Sequence, residues 1–172
     1  MASQTTYNWL GKLKTRDYRS MPIGTIQEIP SEYQINGHIV EFTVQHREYL
    51  MFFTPKCDFD DLYTKDHLGF DVKFDLKANF ENETYFAPPS GGPLRRRDAL
   101  LLGKLITNIL DKHCVYTGAQ RYFFTAETTG LEKLYDRLVK DEADKLNFVV
   151  RKSYCEEGPY YEACTPNAKS FY

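Results

Sequence analysis

Two hydrophobic periods divide the chain. Phe70, Val72, Phe74 and Leu76 are apolar, while Asp71, Lys73, Asp75 and Lys77 between them are charged. A period of two places the four apolar side chains on one face of a half-buried strand. Ile39, Val40, Phe42 and Val44 give the segment 33–44 the β-branched and aromatic character of a strand. A second such run, 49–54, follows the polar link 45–48 and closes at Pro55. The two predict an antiparallel hairpin, and with 70–76 a three-stranded meander. A short strand candidate, 25–29, comes before them and ends at Pro30.

After position 98 the period lengthens. Leu102, Leu105, Ile106, Ile109 and Leu110 follow i, i+3, i+4, i+7, i+8 spacing and predict an amphipathic helix over 98–113. Lys112 and His113 suit the negative end of its dipole. A strand is expected at 121–126. Thr129 and Glu132 form a capping-box pattern that opens a second helix, reaching about 146. Its buried stripe would be Leu131, Leu134, Tyr135, Leu138 and Val139. Strands at 148–152 and 160–163 flank a turn at Glu157, Gly158 and Pro159. The connection 78–97, broken by Pro88, Pro89, Gly91, Gly92 and Pro93, has a length that compact domains reserve for functional or mobile loops. Positions 1–24 read as a tail or extension. The expected class is α+β: a mixed sheet with an antiparallel meander, two main helices and a C-terminal hairpin.

The 172 residues fit one domain, 1–172. With 22 Lys+Arg against 24 Asp+Glu, the net charge of -2 excludes a polycation that holds nucleic acid by charge alone. No apolar run approaches the roughly 18–20 residues that span a bilayer, and no secretory leader opens the chain. A cytoplasmic location without membrane contact is therefore expected. Cys155 and Cys164 flank the last turn and could face each other across it, but cytosolic thiols stay reduced. No metal is expected, because no His/Cys pair has ligand spacing. Asp58, Asp60, Asp61 and Asp66 lack the calcium-loop pattern and read as a solvated loop.

Gly91, Gly92, Arg95, Arg96 and Arg97 stand just before the first long helix. Glycines let backbone amides approach a phosphate, the helix start is electropositive, and guanidinium forks match phosphate oxygens. The same residues also suit a solvated basic turn, with Asp98 as an N-cap carboxylate in the anion's place, or contact with nucleic-acid phosphate. Glu127 follows the strand 121–126 at its carboxyl end, where such sheets place their sites. It equally suits a charge at helix entry; Asp75 and Glu83 are the other carboxylates to weigh.

The order of elements resembles the GNAT acetyltransferase superfamily, over 98–163 with the strand 70–76 before it. Most specific is Leu131-Glu-Lys-Leu-Tyr135-Asp-Arg-Leu followed by Lys145-Leu-Asn-Phe148. It is similar to the family's a-x-x-L-Y-x-x-L-G-F helix leading into a strand, with Asn147 in place of Gly. The family's Q/R-x-x-G-x-G/A signature is absent; Ser90-Gly91-Gly92-Pro93-Leu94-Arg95-Arg96-Arg97-Asp98 stands there. The family's first two helices have no counterpart before Tyr33. The resemblance implies transfer of an acetyl group from acetyl-CoA to the amine of a small molecule or protein. The segment from Gly91 to Arg97 would hold the cofactor phosphates, and the strand 121–126 would part from its neighbour to admit the pantetheine arm. Tyr135 would protonate the departing thiolate; from its place on the apolar stripe alone it reads as a core aromatic. The missing signature also suits an inactive, phage-type GNAT-like protein that binds a host protein. An edge strand at 160–163 would be free to pair with a second copy.

Overall fold

The computed structural model describes residues 25–28, 37–56, 68–156 and 158–168. The tail 1–24, Pro30, and the acidic loop with Cys57 lie outside the described residues, as does part of the strand candidates at 25–29 and 33–44.

Seven strands form one mixed sheet: β1 (Gln27–Glu28), β2 (His38–Val44), β3 (Arg47–Pro55), β4 (Gly69–Leu76), β5 (Arg121–Thr125), β6 (Val149–Cys155) and β7 (Gly158–Cys164). Their spatial order is β1-β2-β3-β4-β5-β7-β6, with β4 and β5 parallel and every other pair antiparallel. The helices are α1 (Lys77–Glu81), α2 (Arg96–Thr117) and α3 (Thr129–Glu142), the last continued by a 3-10 turn, Asp144–Leu146. The expected α+β class and meander are present. No helix among the described residues is long and apolar enough to cross a membrane.

The period-two residues Phe70, Val72 and Phe74 are buried on one face of the sheet and join one core with α2's Leu102, Leu105, Ile106, Ile109 and Leu110. On the second helix only Tyr135 is fully buried; Leu131, Leu134, Leu138 and Val139 are half-buried against that core. The opposite sheet face is not simply solvated. Asp75 and Lys77 are buried there, and Lys77 Nζ donates to Glu41 Oε1 at 2.8 Å. A charge removed from water needs such a partner.

Several boundaries differ from expectation, each for a local reason. The first hairpin turns on two residues, not four, because Gln45 takes a left-handed φ of 58°. The connection 78–97 is shortened at both ends, since α1 begins at Lys77 and α2 at Arg96. Thr128, not Thr129, is the N-cap of α3: its hydroxyl accepts from Leu131 N at 3.2 Å, worth about 1 kcal/mol. Glu132 therefore plays no part in a capping box and pairs instead with Lys152 at 2.9 Å. Cys155 lies opposite Gly158 and Cys164 opposite Val149, so the two cysteines sit at opposite ends of the hairpin and do not face each other. The strand 160–163 is no edge: β7 lies between β5 and β6, and β6 is the exposed edge.

His113 does not serve the helix dipole as a cation. It is fully buried, stacked on Phe53 at 3.8 Å, with Nδ1 2.8 Å from Tyr122 Oη and Nε2 3.0 Å from His38 Nδ1. Burial, with the neighbouring His38, lowers its pKa to about 3. The unfolded chain, with an ordinary value of 6.5, takes up this proton first. Stability from His113 is thus complete above pH 6.5 and is lost as pH falls toward 3. Urea midpoints measured across that range should fall with acid, and His113→Gln should flatten the slope. An unchanged slope in the variant would contradict this account.

Candidate functional site

The parallel pair is joined over only three residues per strand: Gly69, Phe70 and Asp71 with Arg121, Tyr122 and Phe123. Beyond them β4 continues to Leu76 and β5 to Thr125 with no partner in each other. Their outer neighbours stay paired, β4 with β3 up to Leu76 and β5 with β7 up to Thr125. The sheet therefore opens along one seam, at the carboxyl ends of both strands. Such seams are where α/β sheets place ligands.

Tyr135 of α3 stands behind this seam. Its ring lies 6.2 Å from that of Phe74 on β4, 5.5 Å from Phe124 on β5 and 5.4 Å from Tyr161 on β7. The residue is 5% exposed, and among the described residues nothing hydrogen-bonds its hydroxyl. Burial raises its pKa well above the usual tyrosine value, and the charges of Glu127 and Tyr161 add to the rise. On the other sheet face the seam is crossed by Lys73 and Glu127, whose charged atoms are 3.1 Å apart.

At the seam's mouth lies a chamber of about 400 Å³, within the size range of ligand sites. Phe74, Asp75 and Leu76 form one wall, Thr128, Leu131 and Leu134 of the α3 entry another, and Phe86 to Pro89 with Leu94 the rim. Next to it is a polar cleft of about 510 Å³ lined by Gln45, His46, Arg47, Gly91, Arg95, Arg97 and Asp98. Arg47, Pro93 and Leu94 border both spaces.

Of the glycine-arginine segment, Gly91, Arg95 and Arg97 line this cleft, and Gly92 and Arg96 do not. Arg95 is the N-cap of α2 in extended conformation and offers no side-chain cap. Arg96 is exposed. Gly92 has φ 76°, which favours glycine, and its carbonyl accepts from Arg47 Nη2 at 2.8 Å. A Cβ on Gly91 would meet that same nitrogen at 3.1 Å, so the turn is shaped around Arg47. Asp98 is not the N-cap; it lies inside the first turn and accepts from Gln45 Nε2 at 3.1 Å.

Neither Tyr135 nor Glu127 lines the chamber: Tyr135 borders a separate small apolar pocket with Phe124 and Tyr161, and Asp75 is the acidic residue among those lining the chamber. Asp75 Oδ1 accepts from Leu76 N at 2.7 Å and Asn79 Nδ2 at 2.8 Å, and Oδ2 from Phe86 N at 2.6 Å. Asn79 Nδ2 also reaches Ala87 O at 3.0 Å. Burial raises the Asp75 pKa, against the opposing pull of those three donors. Phe86 adopts φ 57°, an uncommon conformation for a bulky residue, and in it donates its N–H to Asp75 Oδ2. Glu83, also at positive φ, is exposed and borders neither space.

Sequence reasoning missed Arg47, which lies far from the glycine-arginine segment in the chain and enters the cleft only through the hairpin turn. It also gave Asp75 no special weight, because the alternation of 70–77 marks it only as one charged residue among four. No family model matches the chain, and no curated protein or solved structure matches it either.

Asp75→Ala should destabilise the fold by about 3 kcal/mol, because three donors lose a charged acceptor. Chemical denaturation measures this, and a loss below about 1 kcal/mol would show that the rim is held otherwise.

Proposed function

We propose that this chain is a GNAT-like N-acyltransferase that moves an acetyl group from acetyl-CoA to an amine. The observation that carries the reading is the early end of the β4–β5 ladder, with a ligand-sized chamber at the opening. The residues fit the cofactor in kind. The chamber wall of Phe74, Leu76, Leu131 and Leu134 suits an apolar arm, and the cleft with Arg47, Arg95 and Arg97 suits phosphates. Bound acetyl-CoA supplies a thioester, whose acyl carbon takes the amine nitrogen as the thiolate leaves. This chain's contribution is mainly to orient thioester and amine in the seam.

Tyr135 keeps its proton at every physiological pH. A full transfer from so weak an acid to a thiolate, whose ordinary pKa is about 8.5, runs uphill. Its role in this reading is to donate a hydrogen bond toward the sulfur as charge develops, while the released thiolate takes its proton from water. In this reading Asp75 receives a proton from the amine. Three of its roughly four acceptor positions are used, leaving one on Oδ2. Glu127, tied to Lys73 outside the chamber, takes the lesser part of an electrostatic neighbour.

A second reading, an interaction protein that keeps this architecture without the chemistry, draws on two observations. The stretch from Ser90 to Asp98 lacks the family's glycine signature, and Tyr85 stands 39% exposed on the adjoining loop. Tyr is enriched in interface hot spots.

Thermal unfolding separates the two readings. Acetyl-CoA at 100 times its dissociation constant should add about 2.7 kcal/mol, and no shift at millimolar cofactor would favour the interaction protein. Tyr135→Phe should lower turnover about ten- to a hundredfold with cofactor affinity unchanged. Full activity in that variant would remove Tyr135 from the mechanism.

A further inference from the structure

Arg47 is out of balance in this structure. It carries a fixed charge, it is half-buried, and among the described residues no carboxylate pairs with it. Its Nη2 has one neutral partner, the Gly92 carbonyl at 2.8 Å. Its Nη1 is shut off from water and has no hydrogen-bond partner among the described residues. A buried unsatisfied donor costs about 1–3 kcal/mol, and more on a charged group. The side chain also reaches the Tyr49 hydroxyl, whose pKa its charge and a side-chain hydrogen bond draw down against the larger effect of burial.

The surroundings match an anion. Arg95, Arg97 and His46 line the cleft with Arg47, against a single carboxylate, Asp98, already engaged by Gln45. Arg47 further borders both the cleft and the chamber, so its guanidinium stands at the passage between them. A ligand with an anionic end in the cleft and an apolar end in the chamber must pass it.

We propose that Arg47 is the principal phosphate-binding residue of this site, a latch that exchanges the Gly92 carbonyl for the oxygens of a diphosphate. The exchange replaces a neutral hydrogen bond by a charge-assisted fork, roughly twice as strong per bond, and gives Nη1 the partner it lacks. It frees the turn at Gly91 and Gly92, which is moulded on the guanidinium. A hairpin arginine then does what a glycine signature at the helix start does elsewhere. The ligand class is a diphosphate ester with an apolar arm; its assignment to acetyl-CoA rests on the acyltransferase reading.

Titration calorimetry with inorganic pyrophosphate and, separately, with acetyl-CoA tests this on the full chain, using wild type, Arg47→Ala and Arg47→Lys. Wild type should bind pyrophosphate, Arg47→Ala at least tenfold more weakly, and Arg47→Lys between them, since an ammonium keeps the charge without the fork. Urea denaturation confirms that each variant is folded; if Arg47→Ala is not, the Lys variant carries the comparison. Equal pyrophosphate affinity in wild type and folded variants overturns the latch and leaves the acyltransferase reading standing. Pyrophosphate binding lost on substitution, with no acetyl-CoA binding by wild type, keeps the latch and overturns the acyltransferase reading. Failure of wild type to bind either ligand overturns both.

Discussion

The short parallel ladder between β4 and β5 is the constraint on which the rest depends. Three residue pairs hold the strands at Gly69–Asp71, and then each follows its other neighbour, β4 along β3 and β5 along β7. The inner backbone edges of both strands past Asp71 and Phe123 are left without sheet partners. Buried backbone groups are nearly always satisfied, so an unpaired interior edge needs water, side chains or a ligand. The rings of Phe74, Phe124 and Tyr135 occupy the inner side of the seam, and the Lys73–Glu127 pair crosses its outer side. Neither set extends the β4–β5 ladder, and the seam stays open past Asp71 and Phe123.

The chain after β4 turns that slot into a chamber. Asp75 gathers the amides of Leu76 and Phe86 and the amide group of Asn79, and Asn79 reaches on to Ala87. Arg47 ties down Gly92. What looks from composition like a loose proline- and glycine-rich connection is fastened at two points to the strand ends. Those fastenings put the rim of the chamber and the start of α2 side by side. The long helix then delivers Arg95 and Arg97 to the polar cleft, while α3 enters from the opposite side through its Thr128 cap.

Much of this was legible in the sequence because it rests on periodicity. The alternation of 70–77 and the helical stripe of Leu102 to Leu110 each follow from one local rule, and both landed on the core face. Element ends were harder, since they depend on φ values and caps: Gln45 at 58° shortens the hairpin, and Thr128 displaces Thr129. The site was only partly legible. Gly91, Gly92, Arg95, Arg96 and Arg97 read as candidates for anion contact by type and spacing, and the structure sets Gly91, Arg95 and Arg97 along one cleft. Arg47 and Asp75 acquire their place from strand register and from a turn, neither of which leaves a local pattern. His113 shows the same limit, for its helix position suggested a solvated cation and the sheet behind it made it a buried neutral ring.

Amide chemical shifts of the full chain during titration with acetyl-CoA test the open seam most directly. The account predicts changes concentrated at 74–76, 86–94 and 128–134, with the edge strand β6 unmoved. A saturating titration that leaves those segments unchanged, or moves only residues elsewhere, would contradict it.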